Sequence, residues 1–114
     1  MAETLRGDGK AVDVVYTGAA PVAKGTPVIV DGFHGITMAA ASSGETVAIE
    51  IALREHELTV GESVTAAKGD ILYLSAAGVI TNTNTDRAFM KVTVPKDGNN
   101  VVWGILLPQG AESV

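Results

Sequence analysis

The sequence has 114 residues, no cysteine and a formal net charge of −5, from 13 acidic and eight basic residues. The length fits one domain, the acidic balance excludes a general nucleic-acid binder, and the lack of cysteine excludes disulfide bonds and thiolate metal sites. Hydrophobic residues make up 46% of the chain, but 16 of them are alanine and only five are aromatic, so the core must consist mainly of valine, isoleucine and leucine.

Short runs of alternating or β-branched residues recur along the chain, and each run ends at a residue that favours turns. This pattern is typical of an all-β sandwich or barrel. We predict nine strands, at residues 11–17, 26–31, 35–40, 45–53, 56–60, 70–75, 79–83, 88–94 and 100–107. Turns are predicted where glycine can adopt a positive φ, at Asp31-Gly32, Ser43-Gly44, Lys68-Gly69, Ala77-Gly78 and Asp97-Gly98. The predicted fold is therefore a small antiparallel β-barrel or sandwich with an extended N-terminal arm.

One segment, residues 47–58, leaves a helical alternative open. Glu50, Arg54, Glu55 and Glu57 lie there at spacings that one helix face would accommodate. No capping residue precedes the segment, and β-branched residues begin it, which favours strands.

An internal similarity strengthens the β prediction. The sequence Ala23-Lys24-Gly25 recurs as Ala67-Lys68-Gly69, and the apolar residues that follow recur with the same offset of 44 positions. In each copy a lysine-glycine turn precedes a run with period-two apolar residues and a second turn. We therefore expect two similar antiparallel hairpins.

The chain ends differ in composition from the rest. Residues 1–10 are mostly polar around one apolar residue, Leu5, and are predicted to form a flexible arm. Residues 11–108 are expected to form the single β-domain, and residues 109–114 a C-terminal tail. No signal peptide or membrane span is recognisable, so we expect a soluble, unexported protein without membrane partners.

Few residues suggest catalysis, so no enzyme activity, cofactor or metal ion is expected. His34, close to Gly32 and Gly35, is predicted to lie in a turn, and His56 on a solvated strand edge. Lys91 follows Met90, as at the modified lysine of biotin-carrier domains, but it is predicted to be one outward residue of a strand. Trp103 is interpreted as a core or interface residue.

The whole pattern resembles the tailed-phage head-decoration, or capsid cement, proteins, whose members often carry the label phage recombinase. The resemblance rests on Gly9-Lys10, the strand through Tyr16, and the segments 22–28, 44–47 and 67–81. Segments 54–58 and 94–98 depart from the family, so contacts of those loops are expected to differ. A recombinase would need a phosphate-binding loop and a basic surface, and the sequence has neither.

The resemblance implies a β-tulip-like virion protein that docks on the outer capsid surface and stabilises the shell. Its implied partner is the phage major capsid protein, which it would bind as a homotrimer at local threefold positions after synthesis in the bacterial cytoplasm. We expect the arm to make the main capsid contact, through Thr4, Leu5, Arg6 and Lys10. The alternatives are a glycan-binding or adhesion module displayed on a phage particle, and a tail or baseplate component.

Overall fold

The computed structural model describes residues 10–109, and this part of the chain contains nine strands and no helix, which confirms the predicted fold class. Each predicted run overlaps one observed strand. The strands are β1 Ala11–Val15, β2 Pro27–Val30, β3 Phe33–Thr37, β4 Thr46–Glu50, β5 Glu55–Thr59, β6 Ile71–Leu74, β7 Ile80–Thr81, β8 Arg87–Val94 and β9 Val101–Leu106.

The helical alternative for residues 47–58 is wrong. β4 ends at Glu50, and β5 begins at Glu55 after a short connection. Val47 and Ile49 are both buried, so the apolar positions of this segment follow the period of two that places alternate side chains on one face of a strand.

The strands form two curled antiparallel sheets, each made from one continuous part of the chain. The first has the order β1-β4-β3-β2, and the second the order β5-β9-β8-β6-β7. Each sheet curls around its own apolar cluster. Ile36 of β3 lies in the cluster of the second sheet, so it packs across the boundary between the two halves.

The predicted pair of similar hairpins is present. β2 pairs with β3, and β6 pairs with β7. The 44-residue offset also relates β1 to β5, since these strands begin at residues 11 and 55, as it relates β2 to β6, which begin at 27 and 71. Burial alternates identically in each related pair of strands. The two sheets therefore share a local strand pattern, although their strand orders differ.

Two of the predicted turns differ in which residue adopts a positive φ. Asp31 and Gly32 have φ values of 54° and 80°, which make a two-residue hairpin turn whose twist matches the flanking strands. In the turn predicted at Asp97-Gly98, it is Asn100 that adopts the left-handed conformation, with a φ of 63°. The Asp97 carboxylate accepts hydrogen bonds from the backbone N–H groups of Asn99 and Val101. This side chain, more than glycine, therefore organises the β8–β9 hairpin.

A β-bulge in β8, where this strand pairs with β6, changes the burial pattern of β8. The register of the two strands shifts between Leu72 and Tyr73, opposite Phe89. Phe89 and Met90 are consequently both buried, although strict alternation would place them on opposite faces. Lys91 points outward, in agreement with the prediction for this residue.

The two sheets meet where the chain continues beyond β9. The Gln109 side chain accepts a hydrogen bond from the His34 backbone N–H at 2.9 Å and donates one to the His34 carbonyl at 2.6 Å. The Leu107 backbone N–H donates to the Phe89 carbonyl at 2.8 Å. We call the group of His34, Phe89, Leu107 and Gln109 the sheet junction, because it connects β3 of the first sheet to β8 and β9 of the second.

Candidate interaction surface

Three of the four residues predicted to contact the capsid, Thr4, Leu5 and Arg6, lie outside the described residues. The fourth, Lys10, directly precedes β1, and its carbonyl accepts a hydrogen bond from the Ile51 backbone N–H at 2.8 Å. The described part of the chain therefore begins beside the connection between β4 and β5.

The second sheet presents apolar side chains to solvent on one surface. We call this surface, formed by the outward side chains of β5, β9 and β8, the outer face. Trp103 and Ile105 of β9 are each 41% exposed there, and Val94 of β8, which pairs with Trp103, is 45% exposed. Leu53, 59% exposed, lines a groove together with Ile105 at one end of this face. Contiguous apolar surface of this kind marks an interaction site more often than isolated exposed residues do.

Charged residues flank this apolar strip with opposite signs. On one side, Glu55 and Glu57 of β5 lie opposite Ile105 and Trp103 in the register of the sheet. On the other side, Lys91 of β8 lies opposite Ile105. The Glu55 carboxylate also accepts a hydrogen bond from the Thr93 hydroxyl, across β9. The outer face therefore runs from acidic through apolar to basic across the strands.

The groove at the end of the outer face has a volume of about 380 Å³. Its walls come from the ends of β8 and β9 and from the turn before β6; they include Leu53, Lys68, Lys91, Ile105 and Leu107. Leu53 is two residues from Ile51, the hydrogen-bond partner of Lys10, so the groove opens close to the point where the chain enters the fold.

A second groove, of about 530 Å³, follows the free edge of β2. Its other walls are the segments 16–22 and 76–78. The Tyr16 hydroxyl donates a hydrogen bond to the Ala20 carbonyl at 2.6 Å, which holds the first of these segments in a closed loop. An edge strand beside a groove can accept an extended segment by backbone pairing.

The prediction that His34 lies in a turn is wrong. His34 is a fully buried residue of β3. Its Nε2 lies 2.8 Å from the Leu107 carbonyl oxygen, so Nε2 carries the hydrogen, while its Nδ1 is buried with no hydrogen-bond partner. Burial lowers the pKa of His34 below 6.5, the nearby positive charge of Arg87 lowers it further, and the hydrogen bond to Leu107 opposes both effects.

We expect acid to weaken the fold through His34. Because its pKa is lowered in the folded state, the unfolded chain binds a proton more readily as the pH falls below 6.5. The contribution of His34 to the free energy of unfolding should therefore be constant above about pH 7 and decrease from there toward the pKa of the folded state. Denaturant titrations between about pH 5 and pH 8 measure this loss.

A direct measurement separates His34 from other titrating groups. The sequence has two histidines, so the variant His56→Gln leaves His34 as the single one. Its ring signals in an NMR titration should give a midpoint below 6.5. A midpoint at or above 6.5 would contradict the assignment of a neutral, buried ring.

His56 and two neighbouring charged residues form a cluster between the sheets. The His56 Nε2 lies 3.1 Å from Glu50 Oε1, and Arg54 Nη1 lies 3.6 Å from Glu50 Oε2. His56 is on the edge strand β5, as predicted, but its ring is mostly buried against Glu50. This cluster is best described as a link between β4 and β5.

Within residues 10–109, no three histidine or acidic side chains are grouped closely enough to hold a metal ion. The same part of the chain contains no helix that could span a membrane.

Sequence reasoning missed the apolar strip of the outer face as a unit. The signal was present in β9, where Val102 and Leu106 are buried and the residues between them, Trp103 and Ile105, are also large and apolar. A strand that covers one core needs apolar residues on one face only, so apolar residues on both faces indicate a second contact surface.

The sequence model of a family described as phage cement protein matches residues 7–107. Among solved structures, the fold is similar to the N base of the head fiber protein gp8.5 of bacteriophage phi29, with a TM-score of 0.47 and 12% sequence identity over 91% of this chain and 98% of that chain. Comparison with curated protein sequences found no match.

Proposed function

Because the chain belongs to the phage cement protein family, whose members are virion structural proteins that stabilise the capsid, we propose that it docks on the outer surface of the phage head as a homotrimer. The match over residues 7–107, which includes every strand of the fold, supports the capsid role, and the homotrimer is part of the proposal. The family is structural and is not an enzyme class. Local threefold positions of the shell, formed by the major capsid protein, would receive one trimer each.

The proposed capsid contact is the N-terminal segment, residues 1–10. Leu5 offers an apolar anchor among polar neighbours, Thr4 and Arg6 offer hydrogen bonds, and an extended segment can add to a sheet edge of the shell through its backbone. Ordering such a segment costs entropy, but three linked segments in one trimer offset this cost through avidity. The position of Lys10, hydrogen-bonded at the edge of the fold, supports a contact that starts at this end of the molecule.

Removal of residues 1–9 should abolish or strongly reduce binding to the head without unfolding the β-domain. This truncation keeps Lys10, whose carbonyl accepts the Ile51 N–H, so the strand pairing of β1 is retained. Loss of three anchors from a linked trimer should weaken apparent affinity by about 10²-fold or more. Binding can be measured by sedimentation with heads produced without the protein, followed by quantification of the occupied sites.

The control is a chain lacking residues 110–114, a shorter deletion at the other end. Leu5→Asp in the full-length chain tests the anchor alone, while Leu5→Met should bind normally. Unchanged occupancy by the chain that lacks residues 1–9 would refute the proposed contact.

The glycan-binding alternative has little support. Of the five aromatic residues, all in the described part of the chain, Trp103 is the one that is strongly exposed; Tyr16 and Phe89 are buried, and Phe33 and Tyr73 are half-buried. Sugar sites usually stack a ring on more than one aromatic face. Titration of Trp103 fluorescence with a glycan panel tests the alternative directly, and a saturable change with one glycan would revive it.

We propose that the chain is synthesised in the cytoplasm of the bacterial host and joins the head there. Its presence on the capsid follows from the family, and the site of synthesis is the inferred step.

A further inference from the structure

The apolar strip of the outer face needs a partner. Trp103, Ile105 and Val94 lie side by side on adjacent strands, with their side chains directed away from the core. Removal of their remaining exposed surface from water would favour association. The strip is too regular to be scattered surface apolarity, since its members are consecutive outward positions on β9 and their neighbour on β8.

The charge order across the outer face indicates what that partner is. β5 contributes the acidic flank, Glu55 and Glu57, and β8 contributes Lys91 on the basic flank, with Lys68 close by at the groove. A surface with opposite charges on its two flanks is complementary to another copy of itself, provided that the copies meet with opposite flanks together.

The direction of the symmetry axis follows from this requirement. Rotation about an axis parallel to β9 brings the acidic flank of one copy against the basic flank of the next, for two copies or for three. A twofold axis running across the strands would instead place acidic flank on acidic flank, which is unfavourable. The charges therefore favour an axis parallel to β9 over a twofold axis across the strands.

We infer that copies of this chain associate through the outer face around an axis parallel to β9. Trp103 and Ile105 pack at the axis, and Glu55 of one copy faces Lys91 of the next, because both lie level with Ile105 along the strands. The number of copies, three, rests on the proposed function, whereas the choice of surface and the direction of the axis rest on the outer face alone.

The first test is the mass of the full chain by size-exclusion chromatography with light scattering. The wild-type chain should form trimers, and Trp103→Lys should reduce them to monomers. Val79→Lys, a control at another exposed apolar position, should leave the trimer intact. Because the chain has a single tryptophan, its emission should shift to the blue on association and to the red on dilution. A wild-type chain that stays monomeric at millimolar concentration would overturn the inference.

The second test reverses the charges. Glu55→Lys and Lys91→Glu should each weaken association, by about fivefold or more, because each places like charges together. The double variant restores opposite charges and should associate within about twofold of the wild type. If the double variant is as weak as the product of the two single effects, the flanks do not meet and the proposed axis is wrong.

The outcomes distinguish this inference from the proposed function. A chain without residues 1–9 that still forms trimers but does not bind heads supports both. A monomeric Trp103→Lys variant that binds heads with full occupancy supports the interface and contradicts docking as a trimer. A dimer whose stability follows the same charge reversal supports the interface and contradicts the threefold number.

Discussion

Replacement of Phe89 by alanine should lower the free energy of unfolding by about 3–5 kcal/mol, the largest effect that we expect from a single substitution. Phe89 is fully buried, and as the extra residue of the bulge in β8 it directs its ring into the core of the second sheet. The ring also packs edge-on against His34, with centroids 5.7 Å apart. Alanine would leave a cavity at the sheet junction, where the surrounding backbone is held by hydrogen bonds and cannot collapse easily.

Denaturant titration at pH 7.5 measures this loss, and Phe89→Leu provides a graded comparison. Leucine keeps much of the volume but loses the contact between the rings, so a smaller loss of about 1–2 kcal/mol is expected. Val79→Ala, at an exposed position, should change the free energy of unfolding by less than about 0.5 kcal/mol. Equal effects of the alanine and leucine substitutions at Phe89 would show that cavity formation is not the cause.

The second large effect is expected for Gly35→Ala, at about 3 kcal/mol. A Cβ at this position would lie 2.6 Å from the Glu50 carbonyl oxygen, inside any normal contact distance. The obstacle is backbone and cannot rotate away, so β3 and β4 would have to separate next to the paired residues Ile36 and Glu50. His34, the neighbouring residue, would move with β3, and the sheet junction would be disturbed.

Gly98→Ala is the matched control for this substitution. No atom lies within 4 Å of the position that its Cβ would occupy, and Gly98 does not have a positive φ. Alanine there should be neutral or slightly stabilising, because it restricts the unfolded chain. Thermal unfolding of both variants gives the comparison; a stable Gly35→Ala variant would mean that the two strands have more freedom than the structure indicates.

The strands were predictable because their signals are local. Period-two apolar runs and turn residues act over a few positions, and all nine predicted runs overlap strands. The burial of His34 was not predictable, since it depends on Leu107 and Gln109, which are more than 70 positions away. The burial of both Phe89 and Met90 was not predictable either, because it depends on the bulge in β8, where Phe89 has no partner in the register with β6.

The candidate interaction surface was predictable only in part. The alternation in β9 identifies Trp103 and Ile105 as neighbours on one face, but the placement of Glu55 and Lys91 on opposite sides of Ile105 depends on which strands flank β9. That order follows from long-range pairing, which a single sequence does not encode in any short segment. The contacts predicted for Thr4, Leu5 and Arg6 remain predictions.

The hydrogen bonds of the sheet junction indicate the order in which the parts of the fold form. All pairings of the first sheet fall within residues 11–50, and all those of the second within residues 55–106, so each sheet can form from its own continuous segment. The hydrogen bonds of Gln109 to His34 close a separation of 75 residues and can form only after the strands of both sheets have been synthesised. Two half-folded sheets should therefore exist before they are joined, and the final residues of the described chain complete the molecule.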